Sequence, residues 1–155
     1  MAPADLLRPL EGQREETLRV LAGIREEDLD RIDEGTGWSV RRILAHLASA
    51  ELGQAFLIRA AAEGQIVHMS PEDRDRFNSD EVTQSVGWDG ARIRSELEDS
   101  RGALSEIFAA LDEDDLDRAI RWPEWPARSI RSSIPYMLEH EDSHMDQVRA
   151  ALGID

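Results

Sequence analysis

The sequence predicts an all-α fold of four helices in a single domain. Its four longest patterned segments repeat apolar residues every three or four positions, which is the spacing of one helix face. No segment alternates polar and apolar residues over the length of a strand, so we expect no sheet. The length of 155 residues suits one core, and we expect one domain over residues 1–155.

The first two helices follow from leucine spacing and from a capping residue. The first is predicted from about Ala4 to Ile24, where leucines recur at helical spacing between charged residues. The second is predicted to start at Ser39, because serine is a good N-cap and here follows a glycine-containing turn. It continues to about Ala62 and ends before a glycine.

The third and fourth helices close the predicted bundle. The third covers about 89–111, where inward positions alternate four and three apart, as in the seam of a helix bundle. The fourth runs from the serine pair at 132–133 to Leu152 and is followed by a glycine. Pro135 fits the first turn of that helix, where its missing N–H costs little.

Two long connections join these helices. Residues 65–87 contain Pro71, Asn78 and Gly87 as breakers, and a loop of this length is expected to cross a bundle or to shape a site. Residues 112–131 form the second connection. Four tryptophans near predicted helix ends are expected to plug the ends of the core: Trp38, Trp88, Trp122 and Trp125.

An acidic segment occurs twice along the chain. Residues 26–31 (EEDLDR) resemble residues 113–118 (EDDLDR), and Trp38 and Trp125 follow them at the same offset. The echo suggests two related helical hairpins about a pseudo-twofold axis. Chance similarity between two acidic turns explains it equally well.

Composition excludes several functions. The net charge of −15 opposes contact with nucleic acid, which depends on basic side chains. No run approaches the roughly 20 apolar residues of a membrane span, and the N-terminus does not resemble a signal peptide, so we expect a cytoplasmic protein. Cysteine and lysine are both absent, which excludes disulfides, thiolate ligands, a cysteine nucleophile and Schiff-base chemistry.

Three histidines are candidate metal ligands. His140 and His144 are four residues apart, so they share one face of the fourth helix, and His46 lies inward on the second helix. Inward imidazoles without partners cost free energy, and one shared divalent ion would satisfy all three. The alternative is that each is an ordinary structural histidine. His68 lies in the long connection and is expected at the surface.

Two carboxylates accompany these histidines. Glu141 directly follows His140, so HEDSH matches the HExxH pattern of zinc proteases. A protease would also need a substrate cleft, usually formed with a sheet edge, and the sequence shows none. Glu51 follows His46 by five residues and is either a hydrogen-bond partner of a ligand or a surface carboxylate.

Three stretches together resemble the DinB-like superfamily, which includes the DinB/YfiT proteins and the mycothiol-dependent maleylpyruvate isomerase type. They are GWSVRRILAHLASAE, LDEDDLDR and MLEHEDSHMDQVRAAL, and the resemblance covers nearly the whole chain. It implies an up-down-down-up four-helix bundle with a long crossover between the second and third helices. It also implies a divalent metal, nickel or zinc, on His46, His140 and His144, and a homodimer.

Three functional hypotheses follow. The first is a metal-dependent transferase that activates a low-molecular-weight thiol such as mycothiol or bacillithiol for a small-molecule substrate. The second is a metal-dependent hydrolase in which the ion activates water and Glu141 is a candidate base. The third is a non-catalytic, stress-related bundle that binds a metal or a small ligand.

Overall fold

Helices dominate the structure, a computed structural model that describes residues 1–65, 67, 70–120 and 128–155. Within these residues there are five α-helices: α1 (Arg8–Ala22), α2 (Val40–Ala62), α3 (Pro71–Ser85), α4 (Gly90–Ala110) and α5 (Ser133–Leu152). Short 3-10 helices cover Pro3–Leu7, Glu26–Asp30 and Asp114–Asp117. The predicted all-α class is therefore confirmed. The one departure is a short antiparallel pair, Ala119–Ile120 (β1) and Arg128–Ser129 (β2), too brief to show an alternating pattern.

Capping groups fix the helix ends close to the predicted positions. The Ser39 hydroxyl accepts a hydrogen bond from the backbone N–H of Arg42 at the start of α2. The Asp89 carboxylate does the same for Arg92 at the start of α4. Gly153 ends α5 in the left-handed region, with φ of 69°, a conformation that glycine adopts without steric cost. Pro135 is the third residue of α5, within the first turn as predicted.

Helix α3 corrects the prediction that residues 65–87 form only a connection. Ser70 and Asp73 form a reciprocal capping box, and Pro71 occupies the first helical position. The prediction treated Pro71 as a breaker, whereas here it begins a helix. Among the residues of α3 only Ser85 is buried, so the helix lacks the apolar stripe on which the other four predictions depended.

The direction of the helices follows from two apolar clusters at opposite ends of the bundle. One cluster joins the beginnings of α1 and α5 to the ends of α2 and α4. The other joins the ends of α1 and α5 to the beginnings of α2 and α4. The helices α1 and α5 therefore run one way and α2 and α4 the other, which confirms the up-down-down-up arrangement. Since α2 and α4 are parallel neighbours, the chain crosses the length of the bundle between them, and α3 lies in this crossover.

A layer of buried charge separates the two apolar clusters. Each bundle helix contributes one member: Arg14 from α1, Glu51 from α2, Arg101 from α4 and Glu141 from α5. Arg14 Nε lies 3.0 Å from Glu141 Oε1, and Arg14 Nη2 lies 3.2 Å from Glu51 Oε2. Arg101 Nη2 lies 2.8 Å from the same Glu51 oxygen. We call these four residues the ion layer.

The repeated acidic segments adopt similar local structures. Each forms a 3-10 helix with a leucine, Leu29 or Leu116, that is 1 % exposed. Each is followed by antiparallel pairing, between Ile32 and Ser39 in the first copy and between β1 and β2 in the second. Trp125, the predicted counterpart of Trp38, lies outside the described residues, and the pseudo-twofold axis stays a prediction.

Membrane insertion receives no support from the helices. In the part of the chain that the structure describes, none of them combines the length and the apolar character that a transmembrane segment needs.

Candidate metal centre

The three histidines singled out from the sequence come together in the structure. His46 projects from α2, and His140 and His144 project from successive turns of α5. One ring nitrogen of each lies within 4.8 Å of those of the other two, and all three side chains are half-buried. Among the described residues, these three form the group of histidine, aspartate or glutamate side chains whose ligand atoms lie close enough together to share one ion.

The spacing of one pair of these nitrogens fits a bound transition metal. His46 Nε2 lies 3.3 Å from His140 Nε2. Two nitrogens bonded to a tetrahedral ion at about 2.05 Å are separated by roughly 3.3 Å. The pair therefore has the separation of two metal ligands, and three protein nitrogens leave coordination positions free for a small molecule.

Hydrogen bonds at the outer nitrogens orient two of the rings. His46 Nδ1 lies 2.8 Å from Glu81 Oε1, and His144 Nδ1 lies 2.8 Å from Gln147 Oε1. An ionised carboxylate can only accept, so the proton of neutral His46 sits on Nδ1 and its Nε2 lone pair faces the other histidines. Outer partners of this kind are usual for histidines that bind metals.

Burial keeps the imidazoles of α5 neutral at physiological pH. It lowers the pKa of His140 to about 4, assisted by the neighbouring His144 and His46. Burial also lowers the pKa of His144, against an opposing effect of its hydrogen bond to Gln147. A neutral imidazole has the free lone pair that a metal ion requires, so these two side chains are ready ligands near pH 7.

Aromatic rings enclose the cluster on two sides. The Trp38 ring meets His46 edge-on at 5.3 Å and stacks on His144 at 6.1 Å between centroids. The Tyr136 ring stacks on His140 at 5.9 Å. Trp38 also packs on the apolar cluster at its end of the bundle, so it plugs the core as predicted and borders the histidines as well.

A cavity of about 300 Å³ opens beside His46 and His140. One wall comes from α2, another from α3, and Tyr136 of α5 completes the lining. Its lining is mostly apolar, with a few polar groups, as is typical of small-molecule sites. The other lining residues are Ala50, Gly53, Gln54, Leu57, Arg74, Phe77, Asn78 and Glu81.

Glu141 makes its hydrogen bonds in the ion layer, although it lines a small cavity together with His140. One helical position turns the side chain by about 100°, so Glu141 points into the ion layer, although it follows His140 directly. Its Oε1 accepts hydrogen bonds from Arg14 and Thr17, and its Oε2 accepts a second bond from Arg14. Burial alone would raise the pKa of Glu141, but these bonds and the nearby charges lower it below its usual value. The expected role of Glu141 as a general base stays a prediction.

Both interpretations of Glu51 from the sequence are wrong. It is 6 % exposed, so it is not a surface carboxylate, and its hydrogen-bond partners are Arg14, Ser100 and Arg101 rather than a histidine. A signal for this layer was present in the sequence. Each glutamate shares a helix face with buried apolar residues one turn before and one turn after it. These are Leu47 and Ala55 for Glu51, and Met137 and Met145 for Glu141.

Sequence reasoning missed three contributors to the site: Tyr136, Gln147 and Glu81. Tyr136 and Gln147 lie four residues before His140 and three after His144, so their proximity could have been inferred from helical spacing. Glu81 belongs to α3, and no local pattern places it against His46. His68, expected at the surface, and Trp122, expected at a core end, lie outside the described residues.

Comparisons with known proteins agree with this architecture. The model of a family described as the DinB superfamily matches residues 9–148. The uncharacterized protein YuaE of Bacillus subtilis (strain 168) is 25 % identical over 146 residues, which cover 88 % of this chain and 90 % of that protein.

Two solved structures share the fold. The crystal structure of a mutant of the mycothiol-dependent maleylpyruvate isomerase matches with a TM-score of 0.80 at 14 % identity, over 96 % of this chain and 61 % of that one. YfiT from Bacillus subtilis, described as a probable metal-dependent hydrolase with an unusual four-helix bundle topology, matches with a TM-score of 0.72 at 15 % identity, over 99 % and 87 %. This chain thus spans about three fifths of the isomerase, and at these identities the likeness establishes the fold alone.

Proposed function

The chain belongs to the DinB superfamily, and on that premise we propose that it is a metal-dependent transferase that activates a low-molecular-weight thiol. The observation that carries the proposal is the convergence of His46, His140 and His144, of which the first two line a cavity of about 300 Å³. Nickel or zinc is the ion that the family resemblance implies; neutral imidazole nitrogens suit both, as they also suit iron and copper.

The histidines would hold the ion from one side of the cavity. When bound, a divalent cation stabilises the deprotonated form of a thiol, which makes the thiol a nucleophile near neutral pH. The rings of Trp38 and Tyr136 stack on His144 and His140 and would limit the access of water to those faces. A drier site strengthens the electrostatic effect of every charge inside it.

The thiol would come from a cosubstrate, because the chain contains no cysteine. The amides of Gln54 and Asn78 line the cavity and can hydrogen-bond to polar groups of a ligand, while Leu57 and Phe77 offer apolar contact. Arg74 adds a positive charge to the same wall, which favours a thiol or substrate that carries a carboxylate.

The test begins with elemental analysis of protein purified without a histidine tag. We expect one nickel or zinc ion per chain, and we expect His144→Ala to lower metal content and thiol-transfer rate together. His68→Ala replaces the fourth histidine of the chain, which the sequence predicts at the surface, and serves as the matched control. Full metal retention in the alanine variants of His46, His140 and His144 would defeat the proposal.

Hydrolysis is the second candidate, favoured by the description of YfiT as a probable metal-dependent hydrolase. The same three histidines would serve it, but Glu141, the expected base, is held in the ion layer. Product formation that does not depend on added thiol would favour hydrolysis. Tight metal uptake without turnover across panels of thiols and esters would favour the non-catalytic alternative.

We further propose that the protein works in the cytoplasm as a homodimer. Leu52 and Phe56 lie one turn apart on α2 and are 42 % and 60 % exposed, so they offer an apolar surface to a second copy. Light scattering coupled to gel filtration would give the mass, and Phe56→Glu should shift it towards the monomer.

A further inference from the structure

One carboxylate of the crossover helix α3 lies against the bundle, whereas most side chains of that helix are exposed. The side chain of Glu81 is 11 % exposed and lies 2.8 Å from His46 Nδ1. The large apolar residues nearby are not buried, since Phe77 is 45 % and Val86 is 72 % exposed. The carboxylate of Glu81 is therefore more buried than Phe77 of the same helix and than Val86, which follows the helix.

We propose that Glu81 is a positioning residue that selects the ligating tautomer of His46 and thereby couples the docking of α3 to occupancy of the metal site. This inference rests on the proposed role of His46 as a ligand. It adds to that site a residue from outside the four-helix bundle.

The first step is the choice of tautomer. A neutral imidazole carries one N–H, and the hydrogen bond at one nitrogen decides which nitrogen holds it. Glu81 accepts from Nδ1, so Nε2 of His46 is left as a lone pair, 3.3 Å from His140 Nε2. Without that acceptor the ring would populate both tautomers, and the form protonated at Nε2 cannot bind an ion there.

The second step is the docking of α3. Gln147 orients His144 from the same helix, so that contact joins no separate elements. Glu81 and His46 are 35 residues apart and belong to different helices. With Ser85 as the buried residue of α3, the bond to His46 is a principal polar attachment of this helix to the bundle. If the bond favours metal binding, metal binding must favour the docked helix by the same free energy.

The third step concerns the cavity. Arg74, Phe77 and Asn78 of α3 form its outer wall, so the wall is complete only when the helix is docked. Metal binding would therefore organise the cavity before a small molecule enters it. The expected order of binding is metal first and substrate second.

The experiment compares Glu81→Ala and Glu81→Gln with Asp80→Asn, a control at an exposed carboxylate on the same helix. In metal-free protein, nitrogen-15 chemical shifts of the His46 ring report its tautomer. Competition with a chelator gives the Kd for Zn²⁺. Hydrogen exchange of residues 71–85, with and without Zn²⁺, reports docking. Because Glu81 lies outside both apolar clusters, the bundle should stay folded in each variant.

We expect Glu81→Ala to mix the tautomers, to weaken Zn²⁺ binding by about 10- to 100-fold and to abolish the zinc-dependent protection of α3. Glu81→Gln keeps an acceptor oxygen and should restore the tautomer and most of the affinity, whereas Asp80→Asn should match the wild type. A wild-type tautomer and a Kd within twofold in Glu81→Ala would overturn the inference alone. Absence of metal binding by the wild type would instead overturn the proposed function.

Discussion

Replacing Glu141 with glutamine separates a structural role of this carboxylate from a catalytic one. The residue is 3 % exposed, and both of its oxygens accept hydrogen bonds from Arg14. Glutamine keeps one acceptor but turns an NH₂ group towards the guanidinium. Breaking a buried ion pair costs about 3–5 kcal/mol. We expect the lower end, about 3 kcal/mol, because Glu51 still lies 3.2 Å from Arg14.

That cost converts to a large change in melting temperature. For 155 residues, an unfolding entropy of roughly 2.1 cal/mol/K per residue gives about 0.33 kcal/mol/K, so Tm should fall by about 9 °C. Calorimetry of the metal-free protein at pH 7 measures the change, and Glu139→Gln, an exposed carboxylate on the other side of His140, is the control. If the variant keeps a Tm within about 2 °C of the wild type but loses turnover, the structural role of Glu141 is refuted and a role as a base is favoured.

Three further outcomes follow from the structure. The pKa of His140 is lowered to about 4 from the 6.5 of an unperturbed histidine, so the unfolded state binds the proton more readily between these values. The free energy of unfolding of the metal-free protein should therefore fall as pH drops from 6.5 towards 4. Urea midpoints measured across this pH range test the fall. The variant His140→Leu should show a weaker dependence of the midpoint on pH. Phe108→Ala removes a side chain that is 0 % exposed in the core and should cost about 3–5 kcal/mol in chemical unfolding; a loss under about 1 kcal/mol would mean that the site collapses. Ser39→Ala removes the hydroxyl that caps α2 and should cost about 1 kcal/mol, whereas Ser39→Asp should retain most of the stability.

Four helices could be predicted because their signals are local. Leucine periodicity, an N-cap at Ser39 and a terminal glycine at 153 are all visible within a few residues of the elements they define. Helix α3 escaped prediction because its stability depends on a capping box at Ser70 and on hydrophilic turns rather than on an apolar stripe. The hairpin of β1 and β2 was equally invisible, since two residues cannot show a period.

In the candidate site, too, some contacts could be predicted from local spacing and others could not. His140 and His144 could be paired from spacing alone, and the inward stripe of α2 indicated His46 as their partner. The contact between Glu81 and His46 depends on the path of the crossover through space, which no neighbouring residue specifies. The role of Glu141 as a base stays a prediction, since adjacency to His140 in sequence does not fix where its side chain points and its hydrogen bonds go to Arg14 and Thr17.

The ion layer has a consequence for how the helices are aligned along the bundle. A slip of one helix by a turn, about 5.4 Å, would carry a guanidinium away from its carboxylates. A charge stranded in that dry interior costs several kcal/mol, so slipped alignments are strongly penalised. We infer that Arg14 and Arg101 fix the alignment of the helices. Their ion pairs hold α2 and α5 at the axial offset that places His46 beside His140. A change in the ion layer is therefore expected to displace the histidines of α2 and α5 relative to one another.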